Sequence, residues 1–442
     1  MEATLFLEIR ERMQSGSLII RELHPESWPV DIAVMPSLVE LKSGKACKAF
    51  SLPPGVAIVP SSCRGLQYLP GEGLHLRLLV QVDFSAKLMP AVGDGLKSKK
   101  SCTFYCQSCG ESVINNRTFL RVLSLPFENW NDLVEEWCCH PNPFNDSLLH
   151  PQNDDCFLGH NYLMINSRSE LSGTESGILY SEDEWATSCE SPSNSQANST
   201  VICKRCKTLL GEAMPSGVIK YYFTELLVQP SEDSFHVIPR SSFIRSVIAR
   251  CFMELAFSRS TFRFSIQGMD GTVYILIWIL NCDTLMVETS GNPASNNVFT
   301  LLEPELSSSL RPAEIHKAVK VLYHPCTENR NKDLVDSWGE DIGVSSLTFP
   351  SKTCLELLLI LSQSNASLPP SLRWMNSFQG GQIGYEHKSY NREEMECILM
   401  SGGPLLGRRD SAAKIPGRFF FNMYQPVSFN RSSLKFGRRP SG

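Results

Sequence analysis

No apolar run in this sequence is long enough to cross a bilayer. The longest, Val273–Leu280 and Leu355–Leu361, fall far short of the roughly 20 residues a spanning helix needs. The N-terminus also lacks a secretory start. Met1-Glu2-Ala3-Thr4-Leu5 puts an acid where a signal peptide carries basic residues, and Glu8, Arg10, Glu11 and Arg12 soon break the apolar stretch. A strong charge of either sign is missing too. The 41 Lys and Arg against 46 Asp and Glu leave a net charge of −5, which gives no general electrostatic pull toward nucleic acid or an anionic membrane. The phosphate-cradling glycine loop, the His-Glu-x-x-His helix and the Gly-x-Ser-x-Gly turn are absent as well, so three common catalytic chemistries have no carrier. These absences predict a soluble, non-secreted protein of the cytoplasm, with the nucleus as a second compartment. It should bind neither membrane nor nucleic acid directly.

Cysteine, by contrast, is plentiful. Sixteen in a short secreted chain would read as a disulfide framework, but in 442 residues without a secretory start they read as thiols and metal ligands. The 42% hydrophobic and 20% charged content is that of a globular chain with enough apolar residues for more than one core.

The pattern predicts an α+β protein: a β-rich N-terminal domain of antiparallel sheets and a mixed α+β C-terminal domain, joined through a four-cysteine zinc site. Leu5–Ile9, Ser17–Arg21, Val30–Val34, Val56–Pro60 and Leu74–Val82 read as short strands punctuated by Pro53-Pro54, Gly65 and Gly71-Glu72-Gly73. We place this domain at residues 1–166. Residues 167–200, rich in Ser, Glu and Asn, read as a polar linker. Residues 201–379 form the second domain. There Ser241–Ser258 carries apolar residues at helical spacing, and Thr261–Ile266, Val273–Leu280 and Leu285–Glu288 read as strands with Met269-Asp270-Gly271 as a turn. Pro312 is expected to open a short helix through Lys320, and Ser351–Ser362 to form another. Residues 380–442, with Gly380-Gly381 and weak periodicity, read as a poorly ordered tail.

The strongest chemical signal is a matched pair of turns. Cys106-Gln107-Ser108-Cys109-Gly110 and Cys203-Lys204-Arg205-Cys206-Lys207 each let two sulfurs face one point, and two such turns make the tetrahedral sulfur site that suits structural zinc. Two unrelated cysteine pairs and a redox pair are the competing readings, the latter without a surrounding βαβ pattern.

Asn129–Pro141 is dense in another way. Trp130, Leu133, Val134 and Trp137 recur at helical spacing, and Cys138-Cys139-His140 follow before Pro141 stops the helix. A core helix with buried thiols, a second metal site from Cys139, His140, His150 and Cys156, and an exposed peptide offering a cysteine to a partner all remain open. In Ser351-Lys352-Thr353-Cys354, Cys354 sits near a helix N-terminus, where the helix dipole favours thiolate. A buried core cysteine is the competing reading, because Leu358 and Leu361 share its face.

These residues together resemble the HECT-like E3 ubiquitin-protein ligase family of the E2-binding type, from about Phe6 to Phe378. The resemblance rests on Val59–Gln67, Thr103–Gly110, Val201–Lys207, Cys354–Leu361 and Ser371–Phe378. It implies acceptance of ubiquitin from an E2 conjugating enzyme and transfer to substrates, cyclin B among them, with Cys354 as the candidate thioester cysteine. It puts the E2-binding stretch at Gln229–Cys251, with Phe243 and Val247 as contacts in a helix-in-groove mode. Asn129–His140 is similar to a Trp-x-Cys-His motif of inhibitors of metallo-β-lactamase RNA endonucleases, including the cleavage and polyadenylation subunit that cuts pre-mRNA 3′ ends. That second resemblance makes Cys139 a ligand to the partner enzyme's zinc, with Trp130, Trp137, Cys138 and His140 beside it.

Overall fold

A computed structural model describes residues 3–21, 29–43, 46–83, 96–125, 150–166, 178–181, 199–214, 217–231, 238–289, 314–326, 331–387 and 419–422. The described residues are β-rich, with few helices and mostly antiparallel sheets. Among them no helix is long and apolar enough to cross a membrane.

The largest sheet has ten strands and draws on both ends of the chain. Its main path runs Trp374–Met375, Phe378–His387, Glu314–Pro325, Val273–Thr289, Thr4–Arg10, Ser15–Arg21, Gly73–Val82 and Val56–Leu69. Arg263–Gln267 pairs with Val273–Thr289, and Val344–Thr348 lies parallel to it. The junction between the two ends is an antiparallel ladder in which Leu5 faces Thr289 and Leu7 faces Val287. Leu5, Leu7 and Ile9 therefore share one core with Leu285, Val287 and Ile315, so no division between an N-terminal and a C-terminal body falls within this sheet.

One long strand makes that junction feasible. The expected strands Val273–Leu280 and Leu285–Glu288 are a single strand, Val273–Thr289, with register shifts between Ile279, Asn281 and Thr284. Bulges add twist and re-aim the chain, so one end pairs with Arg263–Gln267 and the other with Thr4–Arg10.

Glu314–Pro325 is the clearest departure from the sequence reading, which places a helix over Pro312–Lys320. It is a central strand, bonded to Val273–Thr289 on one side and Phe378–His387 on the other. Val319, Val321 and Tyr323 alternate into one core with a period of two, and pairing on both edges outweighs the helix-start cue of a proline. A second correction concerns Gly380. Phe378–His387 continues past the expected start of the tail, with Gly380 and Gly381 buried in the strand. A Cβ at Gly380 would collide with the Leu372 carbonyl, so this glycine serves a close backbone approach. Within the expected linker, Ile178–Ser181 pairs with Ser199–Cys203.

A seven-stranded sheet runs Arg121–Ser124, Asp155–Leu158, Tyr162–Asn166, Val218–Tyr222, Leu209–Met214, Ser199–Cys203, Ile178–Ser181. A three-stranded sheet runs Leu226–Pro230, Ser101–Cys106, Ser112–Thr118. These two share a core that includes Phe104, Cys156, Val201 and Tyr221. In a four-stranded sheet, Phe419–Asn422 pairs with Asp31–Val34, and Leu38–Ser43 and Ala46–Ser51 complete it.

Helices α1 (Arg240–Arg259), α2 (Lys332–Gly339), α3 (Ser351–Ser367) and the single turn α4 (Pro370–Arg373) complete the described elements. Helix α1 is apolar on two sides. Ile244, Ile248 and Phe252 pack with Cys354, Leu357 and Leu361 of α3 against the ten-stranded sheet, while Phe243 enters the core of the smaller sheets and Val247 packs against it. The helix is thus a wedge between two cores.

Candidate metal centre

The two cysteine turns end strands of different sheets and meet in space. Cys106 closes Ser101–Cys106, and Cys203 closes Ser199–Cys203. The turns share one backbone design. In the first, Gly110 N–H donates to the Cys106 carbonyl at 2.8 Å and Cys106 N–H to the Glu111 carbonyl at 2.8 Å. In the second, Lys207 N–H donates to the Cys203 carbonyl at 3.0 Å and Cys203 N–H to the Thr208 carbonyl at 2.8 Å. The residue after the second cysteine is left-handed in both, with φ of 72° at Gly110 and 61° at Lys207. Glycine takes that conformation freely; lysine takes it against its Cβ.

The four sulfurs all lie within 4.8 Å of one another, close enough to hold a metal ion. Cys106 Sγ is 3.6 Å from Cys206 Sγ, and Cys109 Sγ is 3.6 Å from Cys203 Sγ. A disulfide would need about 2.05 Å. Tetrahedral zinc with bonds of about 2.3 Å sets its sulfurs roughly 3.8 Å apart, which these separations approach. The electrostatics are uneven across the site. Burial pushes the Cys106 and Cys109 thiols up. At Cys206 burial acts in the same sense, but hydrogen bonds with the Thr208 hydroxyl and backbone and with the Cys109 and Cys106 thiols bring it down to about 6. Arg205 ties the turns together, 3.8 Å from the Glu111 carboxylate and 3.4 Å from the Cys109 carbonyl.

Behind the first turn lies a buried ionic cluster that motif reading misses. Arg240, the first residue of α1, sends its guanidinium to Glu225 at 2.9 Å, to Glu356 of α3 at 2.9 and 3.1 Å, to Thr353 at 3.1 Å and to the Thr224 carbonyl. It also donates to Gln107 Oε1 at 3.2 Å, and Gln107 lies inside the Cys106–Cys109 turn. Gln107 in turn donates from Nε2 to the Ile238 carbonyl and from its backbone to the Glu225 carbonyl, both at 3.0 Å. Burial works against the charge on Arg240, and the Glu225 and Glu356 carboxylates outweigh it, so the guanidinium is held charged. The Glu225 side chain is only 2% exposed and accepts a further bond from Thr353 at 2.6 Å. The single sequence hint is an arginine directly after Pro239, at the start of an apolar-periodic helix.

The other candidates stand apart from the sulfur site. Cys354 is fully buried, with Sγ 3.4 Å from the Gln267 carbonyl, and burial raises its pKa to about 12. A nucleophile needs an accessible thiolate, and this thiol has neither property; the proximity of the α3 N-terminus does not offset desolvation. Phe243 is buried in the core of the smaller sheets, and Val247 is partly buried against the same core. Cys156, a candidate ligand for a second metal site, is buried in the core of the smaller sheets. Trp130, Trp137, Cys138, Cys139 and His140 lie outside the described residues.

Comparison with known proteins gives a consistent result. Residues 8–380 match the family model described as HECT-like ubiquitin-conjugating enzyme (E2)-binding. An E3 ubiquitin-protein ligase of Homo sapiens is 49% identical over 385 residues, covering 86% of this chain and 97% of that protein. The ligase of the same name from Rattus norvegicus is 50% identical over 378 residues, covering 86% and 96%. An uncharacterized protein of Saccharomyces cerevisiae is 21% identical over 208 residues, 47% of this chain and 54% of its own length. No solved structure matches.

Proposed function

The chain belongs to the HECT-like E2-binding family, and from that premise we propose that it is an E3 ubiquitin-protein ligase that engages an E2 conjugating enzyme and directs its ubiquitin to substrates, cyclin B among them. The observation that carries this reading is the near end-to-end match to relatives named as E3 ligases, over 86% of this chain. In this reading zinc occupies the four-cysteine site as a structural ion. Four sulfur ligands complete a tetrahedron and leave no position for a reacting water. Its chemistry is to cross-link two sheets.

The route of ubiquitin follows from Cys354. A thioester on this residue would require its thiolate to attack the E2-bound carbonyl and expel the E2 thiolate. A buried thiol bonded to the Gln267 carbonyl is poorly placed for that. Direct transfer from the E2 to a substrate lysine suits the structure better. With ubiquitin-activating enzyme, E2, ubiquitin and cyclin B, the full chain is expected to accelerate cyclin B modification, and Cys354→Ala to keep that activity. A thiol-sensitive ubiquitin adduct lost in Cys354→Ala would establish the thioester route instead. No effect on E2 discharge or cyclin B by the folded chain would overturn the ligase reading.

The Trp-Cys-Cys-His sequence supports a second, non-catalytic reading, in which Cys139 binds the active-site zinc of the pre-mRNA 3′-end endonuclease. Loss of endonuclease inhibition in Cys139→Ala, with ubiquitin transfer intact, is its expected signature. Undiminished inhibition by Cys139→Ala would remove it.

A further inference from the structure

We propose that Arg240 and Gln107 form a mechanical link through which metal at the four-cysteine site positions the N-termini of α1 and α3. This rests on the reading of that site as a zinc centre.

Three features carry the inference. Gln107 lies between Cys106 and Cys109 in a turn closed by the Gly110-to-Cys106 backbone bond, whose shape a bound metal would fix further. Its side chain holds the Ile238 carbonyl with one end and the Arg240 guanidinium with the other, so it grips the approach to α1 and its first residue together. Arg240 then reaches across to α3, bonding Glu356 through two nitrogens and Thr353 through one. Side-chain bonds alone thus connect a metal-ligand turn to the start of a helix in another core. Both N-cap positions are prolines (Pro239 and Pro350) with no side-chain cap bond, so this cluster supplies side-chain contacts to first turns that a cap does not hold.

The balance of charge makes the link stiff. The Glu225 side chain is buried and that of Glu356 is only 12% exposed, so an arrangement that left either carboxylate without the guanidinium would strand a charge in the interior. A shift of the Gln107 turn is therefore transmitted to Arg240 rather than absorbed. Linkage then requires reciprocity: whatever the metal does for the helix N-termini, intact helix N-termini do for metal affinity.

Two variants of the full chain test this. Gln107→Ala cuts the link without stranding a charge; Arg240→Lys keeps the charge and loses the planar fork. Zinc affinity is read by competition with a chromogenic chelator, and backbone hydrogen exchange is followed over residues 240–246 and 351–357 with and without metal. Metal removal from the wild-type chain is expected to speed exchange in both helix segments. Each variant should bind zinc about fivefold or more weakly, and its helix segments should respond less to metal. Zinc affinity and exchange response at wild-type levels in Gln107→Ala would overturn the link while leaving the zinc centre intact. A purified chain that binds no zinc would defeat both.

Discussion

The residues of the site differ in how much each is asked to do. Gly110 and Lys207 occupy equivalent left-handed positions, yet only Gly110 does so without a Cβ penalty. Gly110→Ala is expected to destabilise the chain by about 1–2 kcal/mol, measured by denaturant unfolding, because it places a Cβ in that conformation. Wild-type stability in that variant would mean the turn relaxes easily and has no fixed shape to hold a metal. Cys354 is a different case, since it is sequestered by packing. Cys354→Ala should lower stability by about 1–3 kcal/mol through the void it leaves among Phe349, Leu357 and Leu361. Arg240 is the residue whose loss should cost most, and a pattern search over single motifs has no means to find it. Its partners Gln107, Glu225 and Glu356 lie up to 133 residues from it in sequence, and only the fold brings them together.

At the scale of elements, the legible parts are those whose signal is local. Strands such as Leu5–Ile9 and Leu74–Val82, and the helices over Ser241–Ser258 and Ser351–Ser362, alternate or recur at one period over enough residues to specify their type, and all lie within the observed elements. The two cysteine turns are legible for the same reason, since each is built from five adjacent residues. What escapes depends on distant partners. Glu314–Pro325 is a strand because two other strands claim its edges, and Val273–Thr289 is one strand because bulges let it serve two neighbours. Helix α1 shows the limit of periodicity most clearly. A stripe of apolar residues says that a face is covered but not by what, and here both α3 and the smaller sheets cover it. Phe243→Ala is therefore expected to act on folding, with a loss of about 3–5 kcal/mol by denaturant melt. Full stability combined with lost E2 binding would instead return Phe243 to a docking surface.

The whole molecule sets strands from its two ends into one sheet and brings two smaller sheets together at four sulfurs. Thr4–Arg10 pairs with Val273–Thr289 across most of the sequence, and Cys109 meets Cys203 across 94 residues. Closing loops of that length costs chain entropy, which native contacts repay only once they form together. The two closures are not equivalent. The ladder at Leu7 and Val287 is supported by a large apolar core of its own. The sulfur site lies where a three-stranded sheet meets a seven-stranded one, and two of its cysteines, Cys106 and Cys203, belong to the core those sheets share, so a bound ion there would brace that core directly. Chelation should therefore act regionally. Removal of the zinc proposed for this site, by a strong chelator or by acid that protonates the thiolates, is expected to lower the melting temperature by about 5–10 °C. Faster hydrogen exchange should appear first in Ser101–Cys106, Ser199–Cys203 and Leu209–Met214. Thr4–Arg10 and Gly73–Val82 should stay protected, because their core takes nothing from the sulfur site. A metal-free chain that melts unchanged would leave the cysteines without a structural role. Uniform loosening of every sheet would mean that the ten-stranded sheet depends on the metal as well, and that the two closures form one cooperative unit.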